Sequence, residues 1–454
     1  MVDLKITSVS GRWLHVTVPA SRFTREHFEE GVGYDGSSGA GFARIESGDV
    51  SALPRPDAAF MDPFWELPTI SFLCDTVSTE THEPFAGDPR SIAACAQKYL
   101  RAIGVADEAW MAPEFEFHVF DRVDVDCDPR ASFVRIESTD AESGSGADSG
   151  SARGSYFRTP PGETLHDLRS DISLTLESMG IAVRYHHHEV GASGQCEIEV
   201  IPAPLLRAAD QAMIIKYVVK NMAKRRGKVA TFMPKPLFGE AGNGMHVHQR
   251  LTREGRPVFY DTARRNYACL SDLALQYTVG LLAHGPALTG LTNPSTNSFK
   301  RLVDGFEAPV HLFYSLANRS AAIRVPGYAS APDEKRIEYR PPDFTCNIYL
   351  AFAAMLLAGL DGIQSAPVAN RDRFGPFDVD VSSQDKEFRS RIAALPCSLD
   401  EALSALQKDH AFLLKGGVFT EDFIQAWIAS RRAEDVAPVA LRPHPLEYAL
   451  YLDV

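Results

Sequence analysis

Polar and apolar residues alternate in three short stretches of this chain, and in each the polar set would share one face of an extended strand. Along Pro113-Glu114-Phe115-Glu116-Phe117 and on to Val119, a strand turns Glu114, Glu116 and His118 one way and Phe115, Phe117 and Val119 the other. The same parity sets His246, His248 and Arg250 against Met245 and Val247, and Arg336, Glu338 and Arg340 against Ile337 and Tyr339. A fourth stretch, Glu189 to Glu197, brackets a glycine turn with carboxylates. Elsewhere the period lengthens and predicts helices over residues 164–179, 204–226, 270–286, 346–364, 398–412 and 420–432, with a first amphipathic helix starting near Pro89. Residues 2–18 read as strand, turn and strand around Ser10-Gly11, and residues 31–41 as a glycine- and serine-rich loop holding Asp35. A small β-rich unit over residues 1–90 therefore precedes a larger one over 91–454. Ser138 to Gly154 has no hydrophobic period and reads as a flexible surface excursion, with a substrate-sensitive lid as the alternative. No internal repeat is found.

Composition narrows the class. A chain of 454 residues with 45% hydrophobic content is an ordinary globular protein with one large core or two unequal ones. The longest uncharged apolar stretch, Ile348 to Leu360, is short for a bilayer and reads as a buried helix. Seven scattered cysteines without a C-x-x-C pair fit a reducing cytoplasm. A net charge of −13 argues against wholesale nucleic-acid binding, so an anionic substrate must be met by a local cluster of metals and arginines.

If the polar-faced strands are neighbours in one sheet, they wall a cavity with carboxylate, imidazole and guanidinium. Oxygen ligands with an occasional imidazole suit Mg²⁺ or Mn²⁺ better than zinc. Arg301, Arg319, Arg324, Arg336 and Arg340 would add planar forks that bind phosphate and carboxylate bidentately. Metals and arginines together point to phosphoryl transfer. Each stretch alone has a plain structural reading, as a half-exposed strand or a commonplace polar pair; their co-occurrence with the correct parity favours function.

The ordered motifs carry more. Tyr34-Asp35-Gly36-Ser37-Ser38, the two-glutamate strand, His187-His188-Glu189 through Glu197 and Phe232-Met233-Pro234-Lys235-Pro236 are followed by Gly242-Asn243-Gly244-Met245-His246. Asn293 through Leu302, Asn318-Arg319-Ser320, Arg336-Ile337-Glu338 and His444-Pro445-Leu446-Glu447-Tyr448 complete the series. In these motifs, and along almost its whole length, the chain resembles the glutamine synthetase family. The resemblance implies an α+β fold in which a small β-grasp-like N-terminal domain precedes a large catalytic domain with a curved, mainly antiparallel sheet flanked by helices.

It also implies roles. One metal would be held by Glu116, Glu189 and Glu197, and a second by Glu114, His246 and Glu338. Arg301 and Arg340 would clamp glutamate, with Gly242 lending backbone contact. His248, Arg319, Arg324 and Arg336 would serve ATP and its phosphates. Asp35 would bind and deprotonate ammonium, Glu307 would ride a flap over an acyl phosphate, and Ser38 and Tyr156 would line the same pocket. The implied reaction joins ammonia to the γ-carboxylate of glutamate at the expense of ATP, with two or more Mg²⁺ or Mn²⁺ ions per site. The alternatives are a ligase of the same family acting on a primary amine, and a non-catalytic member. The family's assembly, a dodecamer of two stacked hexameric rings whose sites are completed by the adjacent N-terminal domain, is implied too. Three departures stand out: Arg184 where the family commonly has an acid, Ala241 where bacterial members often have Asn, and Arg250 in place of a frequent Ser.

Overall fold

The computed structural model describes residues 1–37, 48–143, 155–365 and 373–454. Its N-terminal part is a five-stranded sheet in the order β2-β1-β5-β4-β3, built from β1 (Val2–Thr7), β2 (Trp13–Val18), β3 (Val32–Asp35), β4 (Asp49–Met61) and β5 (Ile70–Ser78). The expected strand-turn-strand at residues 2–18 is present, with β1 and β2 antiparallel and β1 parallel to β5. Val2, Leu4 and Ile6 pack with Phe72 on one face of β1, while Asp3 and Lys5 are buried on the other, 2.9 Å apart. Residues 32–35, expected to lie in a loop, form the edge strand β3 instead, because Val32 and Tyr34 find apolar partners in this small core.

The sheet is tied to the rest of the chain at the start of the Pro89–Ala102 helix, capped by Asp88 as the Pro89 signal predicts. Arg90 donates to Asp75 of β5 at 2.5 Å and to Asp210 of the Leu205–Arg225 helix at 2.9 Å. Tyr349 donates to the same Asp210 at 2.7 Å. All of these groups are wholly or largely buried, so the guanidinium is matched by carboxylates rather than by water.

The second part is a curled, mainly antiparallel sheet with helices behind it. Its spine is β6 (Glu108–Phe120), and its order runs from His311–Leu316 through Ala321–Val325, Ile337–Tyr339, Val247–Arg253 and β6 to Gln195–Val200 and Val183–His188. Register carries the parity of one strand across the sheet: Glu197 sits opposite Glu116, His248 opposite Glu338, and Arg324 opposite Glu338. Phe115, Phe117, Ile198, Val247, Ile337 and Tyr339 point away and join the residues of the Leu205–Arg225 and Ile348–Ser365 helices in one core. Full burial of each such side chain contributes about 1.5–3 kcal/mol.

All the expected helices occur, at Pro89–Ala102, His166–Ser178, Leu205–Arg225, Asp272–Ala283, Ile348–Ser365, Leu399–Lys408 and Glu421–Arg431. The 270–286 prediction merges two elements, because His284 breaks the first helix and Gly285–Thr292 starts another. The Ile348–Ser365 helix runs past its apolar stretch to eighteen residues, long enough to cross a membrane, but 78% of it is buried inside the molecule. The 138–154 excursion begins as a helical turn, Thr139–Ser143, fixed by Asp140, which accepts from Thr164 and lies 2.7 Å from His188. Residues 144–154 lie outside the described residues. Near the C-terminus, Leu441, Leu446, Tyr448, Leu450, Tyr451, Leu452 and Val454 are each more than half exposed.

Candidate active site

The polar faces of these strands converge on one open pocket. Glu114, Glu116, Tyr156, Glu189, Glu197, Gly242, His246, Arg301, Glu307, Arg319, Arg324 and Arg340 all line it. Glu338 lies against the same cluster, fully buried. His248 reaches it through Glu114, and Arg336 donates to His248 at 3.3 Å. Asp35 is not among the lining residues; it closes a turn at the end of β3, accepting from Ser37. Ser38 lies outside the described residues.

Glu114 accepts from both imidazoles, 2.8 Å from His246 Nδ1 and 2.9 Å from His248 Nε2. Burial acts to raise its pKa, yet these two hydrogen bonds prevail and hold it well below the carboxylate range. Glu338 is gripped at 2.5 Å by Arg324 on one oxygen and at 2.5 Å by Arg340 on the other. Burial and the Glu114 charge push it up, but Arg340, His248 and Arg324 keep it below its ordinary value. Glu116 accepts the Gly244 amide at 2.6 Å. On the far side, among the described residues, no arginine is bonded to Glu189 or Glu197, and the balance reverses. Burial and the Glu116 charge raise Glu189 to about 8, and burial with Glu114 and Glu189 raises Glu197 well above the usual range.

Such crowding is what a bound cation relieves. Three sets of donors lie close enough to share an ion: Glu114, His248 and Glu338; His187, Glu189 and Glu197; and the all-carboxylate Glu114, Glu197 and Glu199. Mostly carboxylate oxygens with at most one imidazole in each set, they fit a hard divalent ion. His246, expected with Glu114 and Glu338, stands 2.8 Å from Glu114 and 3.9 Å from Glu338, next to the set that includes His248, and His187 lies with Glu189 and Glu197. Glu116 remains beside the first trio, 3.5 Å from His246.

Arg301 is pinned by the backbone: it donates to the carbonyls of Pro341 at 2.8 Å and Arg340 at 3.2 Å, which aims its fork into the pocket. Gly242 and Gly244 lie so close to it that a Cβ on either would strike Pro234 or the Arg301 side chain, so only glycine fits there. Glu307 has φ of 56° and follows Gly305 at φ of 103°, a strained loop at the mouth of the pocket. Tyr156 and Arg319 line the same pocket.

Sequence reasoning missed Glu199, which lines the pocket beside Glu197, and the role open to His187. The signal was present: Glu197 and Glu199 alternate with buried Ile198, and His187 pairs across the ladder with Glu197. Glu199 also answers one of the three departures, since Arg184 pairs with it at 3.2 Å and the Tyr185 hydroxyl donates to it. Arg250 turns aside, stacking over Trp110 and donating to the Asp333 carbonyl, whereas Ala241 lines the pocket wall. His118, on the parity of Glu114, is fully buried and bonded to Asn243 at 2.9 Å rather than facing the cavity.

A β-grasp unit is joined to a curled antiparallel sheet whose acid-, imidazole- and arginine-lined bowl has the donors to hold a divalent cation and an anion side by side. Family profiles described as "Glutamine synthetase, beta-Grasp domain" and "Glutamine synthetase, catalytic domain" match residues 1–79 and 86–451. The chain belongs to the glutamine synthetase family. It is 45% identical to the glutamine synthetase of Methylococcus capsulatus over 459 residues, covering 99% of this chain and 96% of that one. It is 43% identical to that of Microchaete diplosiphon over 461 residues, covering 100% and 96%. Among solved structures, the cryo-EM glutamine synthetase of Plasmodium falciparum superposes with a TM-score of 0.87 at 28% identity, covering 99% of this chain and 95% of that one. An apo GmaS superposes with a TM-score of 0.80 at 27% identity, covering 100% and 96%.

Proposed function

We propose that this enzyme ligates ammonia to the γ-carboxylate of glutamate with ATP, releasing glutamine, ADP and phosphate by way of a γ-glutamyl phosphate. The observation that supports this most is the meeting of seven carboxylates, Glu338 among them, with Arg301, Arg319, Arg324 and Arg340 at one pocket of a chain that matches its glutamine synthetase relatives end to end. Arg301 and Arg340 hold glutamate's carboxylates. Arg319, Arg324 and Arg336, with His248, meet the nucleotide phosphates, so that the γ-carboxylate attacks the γ-phosphorus against fixed positive charge. Glu307, on its strained loop, closes over the acyl phosphate and keeps water from it. Ammonia then displaces phosphate, after Asp35, Glu189 and Glu307 have taken up ammonium and accepted its proton. Two divalent ions, held by the two imidazole-bearing donor trios with Glu116, Glu199 and His246 close by, would neutralise phosphate charge and polarise the transferring group.

Asp35 and Ser38 belong to the N-terminal unit, which we place at residues 1–90, and serve the site of an adjacent subunit in a ring assembly of twelve. The exposed apolar residues at the C-terminus support association of that kind. Seven free cysteines suit work in a reducing cytoplasm. The second reading, a γ-glutamyl-amine ligase, is supported by the likeness to GmaS. A phosphate-release assay with glutamate, ATP and a panel of amines separates the two. Ammonium is expected to give the highest kcat/KM; an alkylamine, ethanolamine or polyamine ahead by about tenfold, roughly 1.4 kcal/mol of transition-state preference, would make the second reading the correct one.

A further inference from the structure

Away from this pocket, a cavity of about 460 Å³ opens between the β1–β2 turn and the helical body. Arg12, Lys216, Lys220 and Arg431 line it against a single carboxylate, Asp435, with Trp13, Tyr217 and Phe344 as its aromatic walls. Asp435 is held by Arg431 at 2.7 Å. Among the described residues neither Arg12 nor Lys220 has an ion-pair partner, and Lys216 spends one proton on the Phe344 carbonyl at 2.8 Å. Among the described residues the Trp13 indole N–H is buried without an acceptor, and Asp435 Oδ2, though ion-paired, is buried without a hydrogen-bond donor. Burial and the charge of its neighbour lower both lysines, Lys216 beside Lys220 to about 8 and Lys220 beside Arg12. Crowded cations and an orphaned donor are costly unless something negative completes them.

We infer that this cavity is a second, non-catalytic binding site for a small multivalent oxyanion, a polycarboxylate or a phosphate ester. Arg12 and Lys220 pair with its charges, Lys216 and the Trp13 N–H donate to its oxygens, and the aromatic walls exclude water from the contact. A cavity of this size accommodates such a molecule. Its floor is the back of the catalytic pocket. Phe344 stacks on Phe115, between Glu114 and Glu116, at 4.8 Å, and lies just beyond the Pro341 and Pro342 carbonyls that hold Arg301. Occupancy there bears on the glutamate clamp from behind.

The whole enzyme labelled with 5-fluorotryptophan tests this by ¹⁹F NMR, with the Trp13 resonance assigned from Trp13→Phe. Citrate and pyrophosphate are titrated separately, so that carboxylate and phosphate sources are distinguished, and the Trp13 signal reports this cavity and not the catalytic one. At least one of them is expected to shift it saturably, and Arg12→Ala/Lys220→Ala to weaken that binding about tenfold or more, with turnover at saturating substrate unchanged without the anion. No shift with either anion at millimolar concentration overturns the proposal, as does a shift whose midpoint the double substitution leaves in place.

Discussion

Glu338 carries both roles of the site at the scale of a single residue. It is fully buried, braced by two guanidiniums, and flanked by Ile337 and Tyr339, which do the packing. Glu338→Ala should therefore abolish ATP-dependent phosphate release, and because it leaves Arg324 and Arg340 buried without their carboxylate it should also lower Tm, while the packing of Ile337 and Tyr339 keeps the native secondary structure. A circular-dichroism melt like that of the parent, together with near-normal turnover, would remove Glu338 from the mechanism. The candidate site was legible in the sequence wherever chemistry followed strand parity: Glu114, Glu116, His246 and Glu338 alternate with apolar residues, and alternation alone selects their face. His187 and Glu199 escaped because their value depends on which residue lies opposite which: Glu199 faces Glu114 of a strand far back in the chain and His187 faces Glu197, a register set by tertiary packing.

Among the elements, the crossing of the Asp272–Ala283 and Ile348–Ser365 helices depends on atoms that are missing. Gly280 meets the backbone of Ala358 and Gly362, and a Cβ there would strike both. Glycine in a helix interior ordinarily costs about 1 kcal/mol against alanine, so an open site would gain from Gly280→Ala. Here the sign reverses: the substitution is expected to destabilise by about 1–3 kcal/mol, read as a fall in Tm, because the two backbones must part. Periodicity could find these helices but not the gap between them.

The junction at His284 offers a pH test on the same layer. Burial alone would lower this imidazole, but Asp361 at 3.1 Å and Asp409 at 2.8 Å raise it to about 9. A raised folded value means stability that is fully present below about 6.5, the unfolded value, and lost as pH climbs through 9. Discounted for the solvent reaching Asp409, the loss is of order 2 kcal/mol. Denaturant midpoints between pH 6 and 9.5 should decline in the parent and flatten in His284→Gln; parallel profiles would show that the ion pair contributes nothing.

For the molecule as a whole, the distance between Asp35 and the pocket is the telling fact. Asp35 ends β3 in the N-terminal sheet, and the chain does not bring it among the residues that line the bowl. The proposed assembly, with its site completed between subunits, predicts that two inactive variants, Asp35→Ala and Glu338→Ala, regain part of the activity when co-assembled, because some mixed interfaces receive both intact halves. Verified mixed oligomers without activity would require a site built within one chain. On that reading the apolar C-terminal residues set a condition on the bench: specific activity is not a constant of the preparation. Dilution below the assembly threshold would strip each bowl of its borrowed aspartate before any chain unfolds, so rate plotted against enzyme concentration would bend upward from the origin, and a tryptophan emission spectrum taken alongside would still be that of folded protein.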